Sequence, residues 1–315
     1  MKEHLYPNRS TAILLVLAFF FSFSLISTGQ TPVGVIFERN RQGLSFDKEL
    51  DFLFSNNSLQ SILDNIRPFL DDKDVDHRLL ALRILQEAAL RSADGYWTRN
   101  SVYQLVNTGL RDVSPSVVYH TLNLLNGIPI TSFDEKAQNN LASIILNSPP
   151  HFKFMIRLAA RIGMQQLIPF FEEKLTKDSL LSVSDRWNLQ IVLGRMGDQQ
   201  QVEHCIQTVR QIGMNDEVVY RLVPDLIFMH HPLVVEFLAQ ELLKENMNCT
   251  SPDPDNEAAI DCGFRLAEII APHVVGFPVK VDASGDLDTD DYPGSLRMIR
   301  EWIKLQEPLQ VEFSD

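Results

Sequence analysis

Beyond residue 45 the apolar side chains recur at helical spacing almost without interruption, and that arrangement itself recurs along the chain. Leu79, Leu82, Leu85 and Ala89 fall at i, i+3, i+6 and i+10, which predicts one face of a helix. Val117, Thr121, Leu124 and Leu125 do the same. Start signals stand where such helices need them: Ser114 before Pro115, Asp134, Ser184-Asp185, and Pro232. No strict alternation long enough for a strand occurs before residue 275. Glycine is scarce, 14 in 315 residues, which favours helices over tight-turned sheet.

The chain also resembles itself. RLAARIGMQQLIPFF (157–171) and LQIVLGRMGDQQQVEHC (189–205) both read as an apolar helix, an Arg-apolar-Gly exit, a short polar link and a second amphipathic helix. Placing Gly163 on Gly197 gives a spacing of 34 residues. Extended outward, the alignment predicts further exits at Gly127, Glu87, Met229 and Ala271, with spacings of 32 to 42 residues. That period suits a pair of helices per unit. One such pair cannot bury both of its apolar faces, so stacked neighbours are required.

Two stretches carry a family likeness. IRPFLDDKDVDHRLLALRILQEAAL (66–90) and VLGRMGDQQQVEHCIQTV (192–209) resemble HEAT repeats, and the latter is similar to the short HEAT-like units of phycobilisome lyase subunits. Pro68 sits in the first helix of such a unit, Asp71-Asp72-Lys73-Asp74 forms the turn, and Val75 leads into Arg78 of the second helix. The resemblance covers roughly residues 50–275 and implies an armadillo-like, right-handed α-solenoid of about six degenerate helix pairs that works as a protein-binding scaffold. It implies no lyase activity.

The start of the chain reads as a targeting signal. Residues 12–26 form an uncharged run of 15 apolar and small residues behind Lys2 and Arg9, and Ser27, Thr28 and Gly29 are small. This is the pattern of a secretory signal peptide over 1–29 with cleavage after Gly29. The run falls short of the ~20 residues that span a bilayer comfortably. A retained membrane anchor over 12–26 is the alternative. Residues 30–45 read as an extended or disordered lead-in, 46–275 as the repeat array, and 276–315 as an acidic loop with a capping helix that places Leu296, Ile299, Ile303 and Trp302 on one side, with a docking helix for a partner as the alternative.

Export changes the meaning of the three cysteines, because disulfides persist outside the cytosol. Cys249 and Cys262 bracket a 12-residue turn-rich segment and are disulfide candidates, with two unrelated thiols as the alternative. Cys205 shares a helical face with Val202, Ile206 and Val209 and reads as a buried small hydrophobe, with His204 on another face.

The strongest metal-like pattern is Asp282, Ser284, Asp286, Asp288 and Asp290, oxygen side chains at every second position, as a Ca²⁺ loop requires. Leu287 and Pro293 stand where an EF-hand loop needs Gly and a bidentate acid, so a solvated acidic loop is the better reading. His230 and His231 lack the spacing of a zinc helix and read as helix-start residues. Tyr96, Trp97 and Tyr103 cluster near an inter-helix turn, either as packing or as a binding surface. Asn56-Asn57-Ser58 and Asn248-Cys249-Thr250 match the glycosylation sequon, which matters only in a eukaryotic source.

The net charge of −13, with no basic run, argues against nucleic acid and anionic membrane surfaces as partners. No nucleophile elbow and no phosphate-cradling loop occurs, and no cofactor is expected. The expectation is a non-catalytic scaffold, secreted or periplasmic, with a protein partner. An enzyme of hydrolase type with an unrecognised site and a Ca²⁺-stabilised envelope structural protein are the alternatives.

Overall fold

The computed structural model describes residues 31–92, 94–251, 258–306 and 308–313. The signal sequence with Gly29 and the anchor alternative over 12–26 lie outside the described residues. The chain is all-α in class: among the described residues there are fifteen α-helices, and the structure is 69% helical. Among the described residues the paired strands are β1 (Cys249–Thr250) and β2 (Ala259–Ile260), two residues each. No described helix is long and apolar enough to cross a membrane. Two compact units, residues 1–124 and 125–315, divide the chain.

The first unit holds α1 (Pro32–Arg41), α2 (Asp47–Asn56), α3 (Leu59–Leu70), α4 (Val75–Arg91), α5 (Gly95–Thr108) and most of α6 (Pro115–Asn126). Helix α1 replaces the extended lead-in expected over 30–45. Its start signal is orthodox: the Thr31 hydroxyl accepts from the Gly34 N–H, Pro32 opens the helix, and Val33, Ile36 and Phe37 are buried on one face. Helix α4 corrects a second expectation. Glu87 is not an exit but lies inside this 17-residue helix, which runs on through Ala88, Ala89 and Leu90 because no breaker intervenes. Leu79 is only half-buried, whereas Leu80, Ala81 and Ile84 join Leu82, Leu85 and Ala89 in the core, so α4 is covered on more than one face. It packs against both α3 and α5. The turn from α5 into α6 is close-packed. A Cβ on Gly109 would collide with the buried Thr121 side chain.

The second unit continues with α7 (Glu135–Ile145), α8 (Phe152–Arg161), α9 (Ile168–Lys177), α10 (Val183–Arg195), α11 (Gln199–Ile212), α12 (Val223–Phe228), α13 (Pro232–Leu242), α14 (Gly263–Ile270) and α15 (Tyr292–Leu305). Within it, α10 touches α8, α9, α11 and α12, while α13 touches α11, α12 and α14. Helices two apart in sequence therefore meet as well as neighbours. Asp134, Ser182, Asp198 and His231 cap the starts of α7, α10, α11 and α13 by accepting backbone N–H groups. The cap expected at Ser184-Asp185 is supplied two residues earlier by Ser182, whose hydroxyl accepts from the Asp185 N–H at 3.0 Å.

The ends of α8 and α10 match bond for bond. At the first, the N–H of Gly163 reaches Ala160 O at 3.1 Å and that of Met164 reaches Ala159 O at 3.0 Å. At the second, 34 residues on, Gly197 bonds Gly194 O at 3.1 Å and Asp198 bonds Leu193 O at 3.0 Å. These are paired Schellman caps, and they need a residue with positive φ, which Gly163 (75°) and Gly197 (105°) supply. The exit of α12 puts its positive φ on His230 (50°), one residue past the expected Met229.

Beyond α13 the chain is tied differently. Cys249 and Cys262 form a disulfide beside the β1–β2 pair. Residues 276–291 hold no α-helix, and Val281 bridges Leu287 there. Helix α15 then buries Leu296, Ile299 and Ile303. After it, Val275 N–H donates to Gln310 O (2.9 Å) and Glu312 N–H to His273 O (3.0 Å), and the Phe313 ring stacks on His230.

Candidate functional site

Helices α8, α10, α11 and α12 of the second unit frame a groove of about 890 Å³. Its floor is a network centred on Arg157 of α8. Helix α8 buries Met155, Ile156 and Leu158 to Ala160, leaving Arg157 half-buried at the groove side. Its Nε donates to Asn188 Oδ1 of α10 at 2.9 Å and its Nη2 to Asp225 Oδ1 of α12 at 2.6 Å. The other Asp225 oxygen accepts from the Trp187 indole N–H at 2.7 Å. Asn188 is buried but satisfied, because its amide also donates to Ser184 O at 2.8 Å. The Phe228 ring lies between two guanidinium groups, with Arg157 Cζ at 5.2 Å and Arg195 Cζ at 5.5 Å from its centroid.

One wall follows from a proline. Pro224, in the first turn of α12, has no N–H for the carbonyl four residues back, and the backbone before it widens into a π turn over Val218–Leu222. That turn brings Arg221 and Leu222 to the groove, opposite Lys153 and Phe154 at the start of α8. Val183 and Ile212 add exposed apolar surface at the rim, 88% and 53% accessible. Leu180, close by in sequence, is 92% accessible.

Cys205 lies behind this region, buried with Val202, Ile206 and Val209, while His204 is exposed. Burial, with the Asp225 charge adding to it, pushes the Cys205 thiol up to about 12, which leaves it protonated and unreactive at neutral pH. A second groove of about 960 Å³ lies among α11, α13 and the end of α15, with Phe237, Leu243, Ile303 and Leu309 in its walls.

The acidic residues singled out from sequence do not converge. Asp282 Oδ1 accepts from the Ser284 N–H at 2.8 Å and its hydroxyl at 2.6 Å, which pulls the Asp282 carboxyl below its ordinary value. Asp286 is drawn instead towards Arg265, at 3.5 Å. Leu287, between Asp286 and Asp288, is buried, so the alternation of aspartates is the exposed side of a turn pinned by one leucine. Asp288 and Asp290 are exposed. No three His, Cys, Asp or Glu among the described residues could hold a metal ion together. His231 Nδ1 accepts from the Leu233 N–H, the role of a helix cap. Tyr96 and Trp97 open α5 and meet edge to face at 5.1 Å, in the first unit. Asn56 and Asn248 are exposed.

The groove residues carry no linear signature. Arg157, Trp187 and Asp225 sit on three helices up to 68 residues apart, and no spacing motif links them. The available signal was an arginine in the midst of the apolar FMIRLAA stretch together with one of only three tryptophans. No family model, curated protein or solved structure matches the chain.

Proposed function

We propose that the chain is a non-catalytic scaffold of HEAT-like helix pairs stacked as an α-solenoid, and that it docks a protein partner through the groove framed by α8, α10, α11 and α12. The observation that carries this reading is the groove itself. Its walls mix apolar and charged side chains, its rim exposes Val183 and Ile212, and its buried polar atoms are engaged in joining three helices. Exposed apolar side chains around a rigid polar floor favour binding over reaction. The matched caps of α8 and α10, 34 residues apart, support the repeat. Stacked pairs provide the continuous surface on which such a groove can form.

We infer export from the targeting pattern over 1–29, with the Cys249–Cys262 bond as its physical counterpart. N-terminal sequencing of the protein from its source's envelope or secreted fraction should begin at Gln30. The docking reading is tested by affinity capture of the processed chain from that fraction, followed by chemical crosslinking. A reproducible partner with crosslinks at Lys153 supports it. Repeated capture without an enriched protein, or crosslinks confined to other surfaces, refutes it.

A further inference from the structure

We propose that the groove receives an apolar peptide segment of the partner that carries a carboxylate, with Lys153 and Arg221 holding the carboxylate. The inference rests on the docking role proposed above and adds the chemistry of what docks.

Hydrogen-bonding capacity in the groove is unbalanced. Both Asp225 oxygens are taken, one by Arg157 and one by Trp187. Asn188 Oδ1 is taken by Arg157, and Glu217 Oε1 accepts from Arg221 at 3.2 Å. Donors remain. Arg157 uses Nε and Nη2 in these bonds and keeps Nη1 outside them. Among the described residues Lys153 makes no ion pair, and its ammonium rests over the Phe154 ring at 4.8 Å. Arg221 and Glu217 are each 75% exposed, so their pair is a weak surface bridge that an incoming anion can displace. Three cationic side chains thus face two anionic ones, in a chain whose net charge is −13. An excess of one positive charge, carried by the unpaired Lys153 on an acidic protein, favours an anionic group there.

The apolar part of the ligand follows from the walls. Trp187, Leu222 and the exposed Val183 and Ile212 surround the same space, and a volume of about 890 Å³ lies within the range of pockets that enclose a drug-sized ligand, a few residues in extent. A bare anion would leave those side chains in water, and a neutral apolar segment would leave Lys153 without a counter-charge. A peptide with both features satisfies both halves.

The test uses the full processed chain and an N-acetylated Leu-Val-Phe peptide, either as the free acid or as its C-terminal amide, read by isothermal titration calorimetry. The acid should bind at least tenfold more tightly than the amide. Lys153→Glu should abolish that preference while leaving the melting temperature unchanged, and Val183→Asp should weaken both forms. Equal affinity for acid and amide, no binding of either, or a preference that survives Lys153→Glu overturns the proposal. Capture with the Lys153→Glu chain separates this failure from that of the scaffold reading. A partner retained by both chains keeps the scaffold and removes the carboxylate, whereas a partner lost with Lys153→Glu supports both.

Discussion

The arginine–aspartate pairs Arg78–Asp112 of the first unit and Arg157–Asp225 of the second do different work. In the first unit Arg78 of α4 grips Asp112 with both prongs, Nε to Oδ2 at 2.6 Å and Nη2 to Oδ1 at 2.9 Å. Its third nitrogen donates to the carbonyls of Asp72 and Lys73 at 2.7 and 3.3 Å. The side chains are only 9% and 7% exposed. In the second unit Arg157 and Asp225 share one bond and are 25% and 21% exposed, and each also bonds a third residue. The first pair closes on itself and locks a turn to a helix. The second is an open chain of partners that shapes a wall. Bidentate geometry and burial mark a structural tie, whereas the split pair leaves its atoms half-buried and within reach of solvent.

Breaking each pair should show the contrast. Asp112→Ala leaves Arg78 buried without its counter-charge and should destabilise the chain by about 3 kcal/mol, at the low end for such a lesion because the two carbonyl bonds remain. Urea unfolding measures this, and a loss below about 1 kcal/mol would mean the pair is dispensable. The second unit also has a covalent tie. Reducing Cys249–Cys262 should cost up to about 3 kcal/mol in the chain-entropy model. Hydrogen exchange should locate the loss around α13 and α14 and spare α4 and α5. Equal loss of protection in both units would mean that the bond acts beyond its own unit.

Asp225→Ala should cost less, roughly 1.5 kcal/mol, because water can reach the atoms it strands and Arg157 keeps Asn188 and Phe228. Its clearer mark is spectroscopic, since the Trp187 indole loses its acceptor and its emission should shift. If Asp225→Ala proves as costly as Asp112→Ala, the distinction between a sealed tie and an open one fails.

The same contrast explains what could be read from the sequence. Schellman exits at Gly163 and Gly197 were legible because they are local: a positive φ, a glycine, and an apolar helix before it. The faces of α6 and α15 and the apolar setting of Cys205 were legible for the same reason, the 3.6-residue period. Glu87 was misplaced because the expectation followed a period, whereas a helix stops only where something stops it. The α1 segment was missed although Thr31 and Pro32 announce it, because its buried set is just Val33, Ile36 and Phe37 amid polar residues. The groove was invisible for a deeper reason. Arg157, Trp187 and Asp225 are joined only by packing between helices, which the linear pattern does not encode. The same holds for Asp112, 34 residues from the Arg78 it holds.

The smallest effect should come from one histidine in each unit. His120, in the first, is held below its ordinary 6.5 mainly by burial, with the Arg83 charge adding to it. His273, in the second, is lowered by burial, partly opposed by its backbone hydrogen bond with Glu312, and its Nδ1 is buried without a hydrogen-bond partner among the described residues. In both cases the unfolded chain takes up the proton first. Stability should therefore be flat above pH 6.5 and fall as the pH drops from 6.5 towards the folded-state values. Asp72, Asp178 and Asp282, whose carboxyls are lowered by hydrogen bonds, contribute a separate loss only at more acidic pH, below their ordinary 3.8. Melting curves at about pH 7.5 and 5.5 isolate the histidine window. His120→Gln and His273→Gln should each flatten the difference, by less than either aspartate substitution shifts stability. If His273→Gln alone flattens it, the acid-sensitive end of the molecule is the second unit, where Phe313 packs on both His273 and His230. If neither does, the loss between those pH values belongs to other groups, and the two units do not differ in their response to acid.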